Sequence, residues 1–191
     1  MKDYLKGFAG VKIFPTITDT EEAYSAAGEV ISLEAAVSCS KVDNKASTAI
    51  AADDNPNWDT DNEWTDTDLT TVHRQVSLAT LEKLTGGELS EDDTFEEGVL
   101  DNAPEVAMVF RGLRRSGGYR GYRYYNCRLT KYEYTLNTKG GENKTADVTL
   151  TWKCGSRAID SKVRGTKDFD TVTEYNTWAA SIPSQPVNAG K

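Results

Sequence analysis

The sequence predicts a mainly β protein with one or two short helices, extended arms at both ends and a long acidic loop. Three observations carry that prediction. Ala103 to Tyr134 reads as strand, turn and strand, because Pro104 suits a strand start, Val106 to Phe110 is apolar, Ser116-Gly117-Gly118 accepts positive φ, and Tyr122 to Tyr134 is rich in aromatics. Val148, Leu150, Trp152 and Cys154 alternate with Thr149, Thr151 and Lys153, the period of a half-buried strand. Ile31, Leu33, Ala35 and Val37 alternate in the same way with Ser32, Glu34 and Ala36.

The remaining elements follow in chain order. Residues 1–10 show no period and read as an N-terminal arm, and Val11 to Thr18 as a strand that Pro15 confines to an edge or bulge. After the strand from Val30, Asp43-Asn44-Lys45 has turn chemistry and leads to a second strand, Ser47 to Ala52. Asp53 to Asp68 has no apolar residue except two tryptophans and predicts a long exposed loop, of a length that is usually functional or disordered. Leu69 to Leu78 reads as a strand with Val72, Val76 and Leu78 on one face and His73, Gln75 and Ser77 on the other. Leu78, Leu81 and Leu84 have helical spacing, and Gly86-Gly87 stops that helix. Glu88 to Asp101 is a second acidic loop, and Lys139-Gly140-Gly141 a turn before the strand at Val148. Ala158 to Arg164 is a weaker strand and Val172 to Ala180 a short helix, after which Pro183 and Pro186 open a C-terminal arm. The expected division is an arm (1–10), one β domain (11–165) and a C-terminal helix and arm (166–191), within the size of a single core.

Charge is segregated. Arg111, Arg114, Arg115, Arg120, Arg123 and Arg128 crowd the central hairpin, whereas Ala46 to Val72 and Leu84 to Phe110 contain acids and no Lys or Arg. The net charge of −8 disfavours a protein that coats nucleic acid with its whole surface. Arginines and tyrosines on one hairpin fit single-stranded nucleic acid, yet a binding groove needs more than one hairpin and the rest of the chain would repel a polyanion, so the reading as ordinary solvated strand residues is favoured. Separated opposite charges also suit head-to-tail association of copies of one chain. Cys39, Cys127 and Cys154 are an odd set with no C-x-x-C spacing, which predicts free thiols in a reducing cytoplasm. No apolar run of signal-peptide or membrane-spanning length is present, so the expectation is a soluble protein made in the cytoplasm, with no membrane partner.

Catalytic and metal-binding readings find little support. His73 is the lone histidine and sits among polar strand residues, so a triad or a histidine-rich metal site has nothing else to use. Counting a calcium loop from Asp53 or from Asp59 puts a tryptophan, Trp58 or Trp64, where the helix-loop-helix motif requires glycine. Acids in a polar loop are ordinarily solvated. The expectation is no enzyme, no cofactor and no metal.

A resemblance rests on four runs and their order: STAIAADDNPNW at Ser47 to Trp58, TVHRQVSLATLEKLTGG at Thr71 to Gly87, the hairpin DNAPEVAMVFRGLRRSGGYRGYRYYNCRLTKYEY at Asp101 to Tyr134, and TADVTLTWKCGSR at Thr145 to Arg157. In these the chain resembles the major tail proteins, or tail tube proteins, of double-stranded-DNA phages with long non-contractile tails, which are similar to the type VI secretion tube fold. The resemblance implies two packed antiparallel β-sheets, sandwich-like or barrel-like, flanked by the short helices, in a structural protein of the virion tail, made in the host cytoplasm, whose subunits form hexameric rings stacked into a hollow tube for DNA ejection. It implies partnership with itself and with initiator, terminator and tape measure proteins, and DNA that transits the lumen without specific binding. An acidic subunit suits such a wall.

On that reading the ring-stacking or subunit interface is expected from Asp53, Asp54, Trp58, Asp59, Asp61, Glu63, Trp64, Asp66 and Asp68 meeting Arg111, Arg114, Arg115, Arg120 and Arg123 of another copy. Ser32, Glu34, His73, Gln75 and Ser77 are expected to face the lumen. The alternative from another class is a carbohydrate-binding β-sandwich that stacks Trp58 and Trp64 on sugar rings.

Overall fold

The computed structural model describes residues 5–26, 28–52, 55–134, 147–183 and 185–186, and the side chains of 51–52, 55–58 and 185–186 lie outside the described set. Its elements are β1 (Leu5–Asp19), β2 (Ala23–Ala26), β3 (Ile31–Leu33), β4 (Ala36–Ala52), β5 (Asn55–His73), α1 (Leu78–Thr85), β6 (Glu88–Leu89) and β7 (Phe95–Glu96). They continue with β8 (Glu105–Arg114), β9 (Tyr119–Tyr134), β10 (Val148–Gly155), β11 (Arg164–Phe169), α2 (Val172–Trp178) and β12 (Gln185–Pro186). The mainly β class is as the sequence predicts. Among the described residues ten strands form one antiparallel sheet, with the path β12-β2-β1-β8-β9-β10-β5-β4, β3 beside β1 and β11 beside β9, while β6 and β7 make a separate small ribbon.

The sheet curls until its ends approach. Three strands separate β1 from β5 along the path, yet the Phe8 ring of β1 meets the His73 ring of β5 edge-on at 6.2 Å and the Phe110 ring of β8 at 5.3 Å. Side chains inside the curl form the main core, including Val11, Ile13, Leu33, Leu69, Met108, Leu150 and Trp152. A second core lies on the other face of β1, β8 and β9, where Phe14, Tyr24, Ala107, Val109 and Tyr125 pack under Phe169, Tyr175 and Ala179 of the C-terminal segment. Strand β8 therefore has apolar residues pointing both ways. Val106, Met108 and Phe110 enter one core and Ala107 and Val109 the other, which explains its unbroken apolar run.

The central hairpin, β10 and both helices stand where the sequence puts them. Ser77 accepts a hydrogen bond from the Thr80 backbone N–H to start α1, and Thr171 with Glu174 forms a complete capping box for α2. The turn between β8 and β9 is set by Gly118, at φ 74°, where a Cβ would lie 2.3 Å from the Phe169 carbonyl oxygen.

Several expectations are corrected. Residues Leu5–Gly10, expected as arm, are the first part of β1 and pair with β8 out to Leu5 opposite Arg114. Pro15 is inside β1, at the gap on one edge between β3, which pairs Val11–Ile13, and β2, which begins opposite Thr16, so its missing N–H costs no ladder bond there. The alternation from Val30 breaks at Ala35, whose φ is 51°. Ile31 and Leu33 are buried, but Val37 is 40% exposed because the kink resets the phase. Asp43-Asn44-Lys45 is no turn but the middle of β4, with a register irregularity at Asn44/Lys45. The loop expected over Asp53 to Asp68 is strand β5 from Asn55 onward. The strand expected over Leu69 to Leu78 stops at His73, and the one expected over Ala158 to Arg164 begins only at Arg164. The expected turn at Lys139-Gly140-Gly141 lies outside the described residues, as do residues 1–4, Ser184 and 187–191.

Candidate functional site

The most prominent feature is a two-stranded ribbon. β4 and β5 pair from Ala36 opposite His73 to Ala52 opposite Asn55, but β10 accompanies β5 only from His73 to Thr67. Beyond that point the pair carries no third strand among the described residues. Asp59, Asp61 and Glu63 are exposed there, Ile50 is 45% exposed and Trp64 is half-buried, while at the base Val42, opposite Asp68, is 59% exposed. A lone hairpin is marginal in water, so its base must be fixed by the body. Asp43 accepts from Arg164 at 2.7 and 3.2 Å, from Lys41 at 2.5 Å and from Thr67 at 2.7 Å. The Arg164 hydrogen bonds, more than any other contact, hold the Asp43 carboxyl far below the usual carboxylate range. The Asn44 side-chain amide donates to Asp66 at 2.6 Å and Asp68 at 2.8 Å, and Lys153 reaches Asp66 at 3.2 Å. Asp66 and Asp68, expected at an intersubunit contact, thus clamp the ribbon to its own chain. Asp53 and Asp54 lie outside the described residues, and of Trp58 only the backbone, in β5, is described.

The expected arginine partners are largely engaged within the subunit. Arg123 is 5% exposed, with Nη2 donating to the Trp178 and Ser181 carbonyls at 2.5 and 3.0 Å and Cζ 4.0 Å from the Trp178 ring. It cannot meet another copy, because β9 turns it under α2, and burial lowers its pKa. Arg120 grips Asp168 through Nε at 2.6 Å and Nη2 at 2.8 Å, with Arg114 3.7 Å from the same carboxylate. Arg111 lies over the rings of Tyr119 and Tyr175 at 4.7 and 5.1 Å. Arg115 is exposed at the turn, and Arg128, at the other end of the hairpin, pairs with Glu105 at 3.0 Å.

The five residues expected to face a lumen do not share one surface. Ser32 and Glu34 are exposed. His73 is fully buried, with Nδ1 3.2 Å from the Glu34 carbonyl oxygen, and burial lowers its pKa. The inward face of β5 carries Thr67, Leu69, Thr71 and His73, anchored by Trp152 Nε1 donating to Thr71 Oγ1 at 3.1 Å. Gln75 and Ser77 are exposed beyond the strand, and Ser77 is the α1 cap.

Closure of the sheet also assembles a site that the linear sequence does not signal. A cavity of about 560 Å³ opens between β1, β4, β8, β9 and β11, walled by Leu5, Phe8, Leu69, Phe110, Tyr122 and Tyr124. Lys6, Lys41, Arg111, Arg120 and Arg164 surround it, and among the described residues no carboxylate lines it. Only Arg111 and Arg120 stand out in the sequence; the other three cations come from separate strands. All three cysteines are free, Cys127 and Cys154 being buried opposite one another on β9 and β10. Among the described residues no group of three or more His, Cys, Asp or Glu is placed to hold a metal ion, and no helix is long and apolar enough to cross a membrane.

No family model and no curated protein matches the chain. Several solved structures are similar to it, among them these two. One is a chain of the anti-feeding prophage baseplate, from a 6-fold symmetrised cryo-EM structure, at 10% identity over 84% of this chain and 91% of that one, with a TM-score of 0.41. The other is the Hcp protein, at 11% identity over 86% of this chain and 100% of that one, with a TM-score of 0.34.

Proposed function

We propose that this chain is a structural subunit that assembles with copies of itself into stacked, six-membered rings forming a hollow tube, the major tail protein of a phage or phage-like particle. The observation that carries the reading is the β4–β5 ribbon. β4 ends the sheet path, so along 17 residues its outer edge has no partner strand among the described residues, and from Asn55 to Asp66 β5 pairs among them with β4 alone. A long open edge is a hazard for a monomer and a template for a neighbour that adds a strand. Asp59, Asp61 and Glu63 make the exposed ribbon acidic, which directs it to a basic surface and keeps like ribbons from pairing indiscriminately. The resemblance of the four sequence runs to tail tube proteins points the same way. Initiator, terminator and tape measure proteins are the further partners this role requires, and a subunit of net charge −8 gives DNA a wall to slide past.

The test is electron microscopy of the concentrated protein, which should show rings or tubes. A variant that joins Ala46 directly to Glu63 through an Asn-Gly turn keeps the clamped base and should yield folded subunits that do not elongate. Tubes of normal length from that variant would refute the role given to the ribbon.

A further inference from the structure

We propose that the tight turn Gly98–Asp101 of one subunit inserts into the cation-rimmed cavity of a second copy, making a head-to-tail contact separate from the ribbon. This rests on the self-assembly reading. Val99 and Leu100 are 104% and 93% exposed, whereas the next most exposed large hydrophobic residue, Ile17, is 65% exposed. Their placement is not a loose excursion. The Asp101 N–H donates to the Gly98 carbonyl at 3.2 Å, and the Gly98 N–H donates to Asp101 Oδ2 at 2.6 Å, so the two aliphatic side chains are held at the crown of a closed turn. Central turn positions ordinarily take Gly, Asn, Asp or Pro, and a local rule broken without any gain within the subunit points to a contact outside it.

The chemistry of the two surfaces matches. Glu96, Glu97 and Asp101 flank the crown, and the whole segment Glu88 to Asp101 has seven acids and no cation. The cavity offers an aromatic and aliphatic floor within five cations; Asp43 and Asp168, which bind some of them from behind, still leave three positive charges in excess. At about 560 Å³ it is within the range of pockets that take compact inserts. An apolar tip with an acidic collar fits an apolar hole with a basic rim in both respects.

The subunit cannot satisfy this contact by itself. The turn is tied to the far end of β9, where the Tyr132 hydroxyl donates to Glu97 Oε2 at 2.5 Å and Asp101 and Asn102 border a groove with Arg128 to Tyr132. The cavity uses Arg120, Tyr122 and Tyr124 at the near end. From Tyr124 to Tyr132 the strand runs about 26 Å at roughly 3.3 Å per residue. Plug and hole therefore sit at opposite ends of the molecule, the arrangement that builds open stacks when repeated between copies.

The experiment measures the assembly threshold by light scattering and electron microscopy for the parent protein and for Val99→Ser with Leu100→Ser, both exposed positions whose change should leave circular dichroism and melting unaltered. The double variant should need at least tenfold more protein to assemble. In a second arm, carried out with Cys39→Ser in every subunit because that thiol lines the cavity, Leu100→Cys subunits are mixed with Thr166→Cys subunits and treated with a short bismaleimide. Cross-linked dimers should form, and Lys131→Cys in place of Thr166→Cys should give none. If the parent assembles while the double variant assembles at the same threshold and no cross-link forms, the plug is wrong and the tube reading stands. If the parent stays monomeric at every concentration and no cross-link forms, both fail.

Discussion

Replacement of Gly121 by alanine tests how α2 is held to the sheet. Gly121 lies on β9 beneath the C-terminal helix, and a Cβ there would come within 2.8 Å of Trp178 Cζ3, 2.9 Å of Phe169 Cε2 and 3.2 Å of Tyr175 Cε2. These three rings pack against one another at centroid distances of 5.3 to 6.3 Å, so none can retreat without moving the rest. Overpacking by one methyl group in such a site costs about 1–3 kcal/mol. At roughly 2–4 °C per kcal/mol for a chain of this size, Gly121→Ala should melt about 2–12 °C below the parent, with altered Trp178 fluorescence and faster hydrogen exchange in α2. Gly155, on β10, has no heavy atom within 4 Å of the equivalent Cβ, so Gly155→Ala should change stability by no more than about 1 kcal/mol. Equal stability for the two variants would refute the claim that ring contact, and not strand preference, makes glycine necessary at 121.

His73 is buried and its pKa is lowered, so the folded state resists the proton that the unfolded state accepts below about 6.5. Its contribution is complete above that pH and erodes as pH falls; urea titrations between pH 7 and 5 should show this loss, and His73→Gln should flatten the slope. Asp43, held below the usual carboxylate range by Arg164, contributes stability above about pH 4 that disappears as acid protonates it. Because both side chains are partly exposed, Arg164→Gln should cost only about 1 kcal/mol or less at pH 7 and should reduce the acid dependence, measurable by melting at pH 7 and pH 3. Burial pushes the Cys39 thiol up to about 12, with Cys154 adding to the rise, and Cys127 is raised by burial as well. Maleimide labelling at pH 7 should therefore be slow for the folded protein and rapid in urea, and reductant should not alter assembly.

Legibility in the sequence tracked burial. β8, β9 and β10 were readable because each has at least one face in a core, so apolar residues had to recur with the strand period. α1 and α2 announced themselves through Ser77, Gly86 and Thr171, whose side chains or backbone terminate helices by local chemistry. The ribbon was illegible for the opposite reason. With solvent on both faces, nothing selects alternation among Asp59, Thr60, Asp61, Asn62 and Glu63, and a strand of acids and amides has the composition of a loop. On β5 the inward face carries Thr67, Thr71 and His73 beside Leu69, with Trp152 Nε1 donating to Thr71 and His73 Nδ1 against the Glu34 carbonyl, so polarity pointed to the wrong face. The cavity cations Lys6, Lys41 and Arg164 come from β1, β4 and β11 and meet only because the sheet curls. Long-range closure of that kind leaves no local mark.

The pairing of β1 has a mechanical consequence. β1 lies against β8 from Leu5 to Pro15, and on its other edge holds β3 and then β2. Tension along β1 would load these ladders in shear, straining many transverse hydrogen bonds at once, so that none yields until several do. A sideways force on the tip of the β4–β5 ribbon would instead bend a two-stranded pair about its base, where β10 stops at Thr67 and no third strand among the described residues stiffens it. The same sheet is thus rigid at its centre and compliant at its outstretched end, which lets neighbouring subunits flex about a joint while each body keeps its shape.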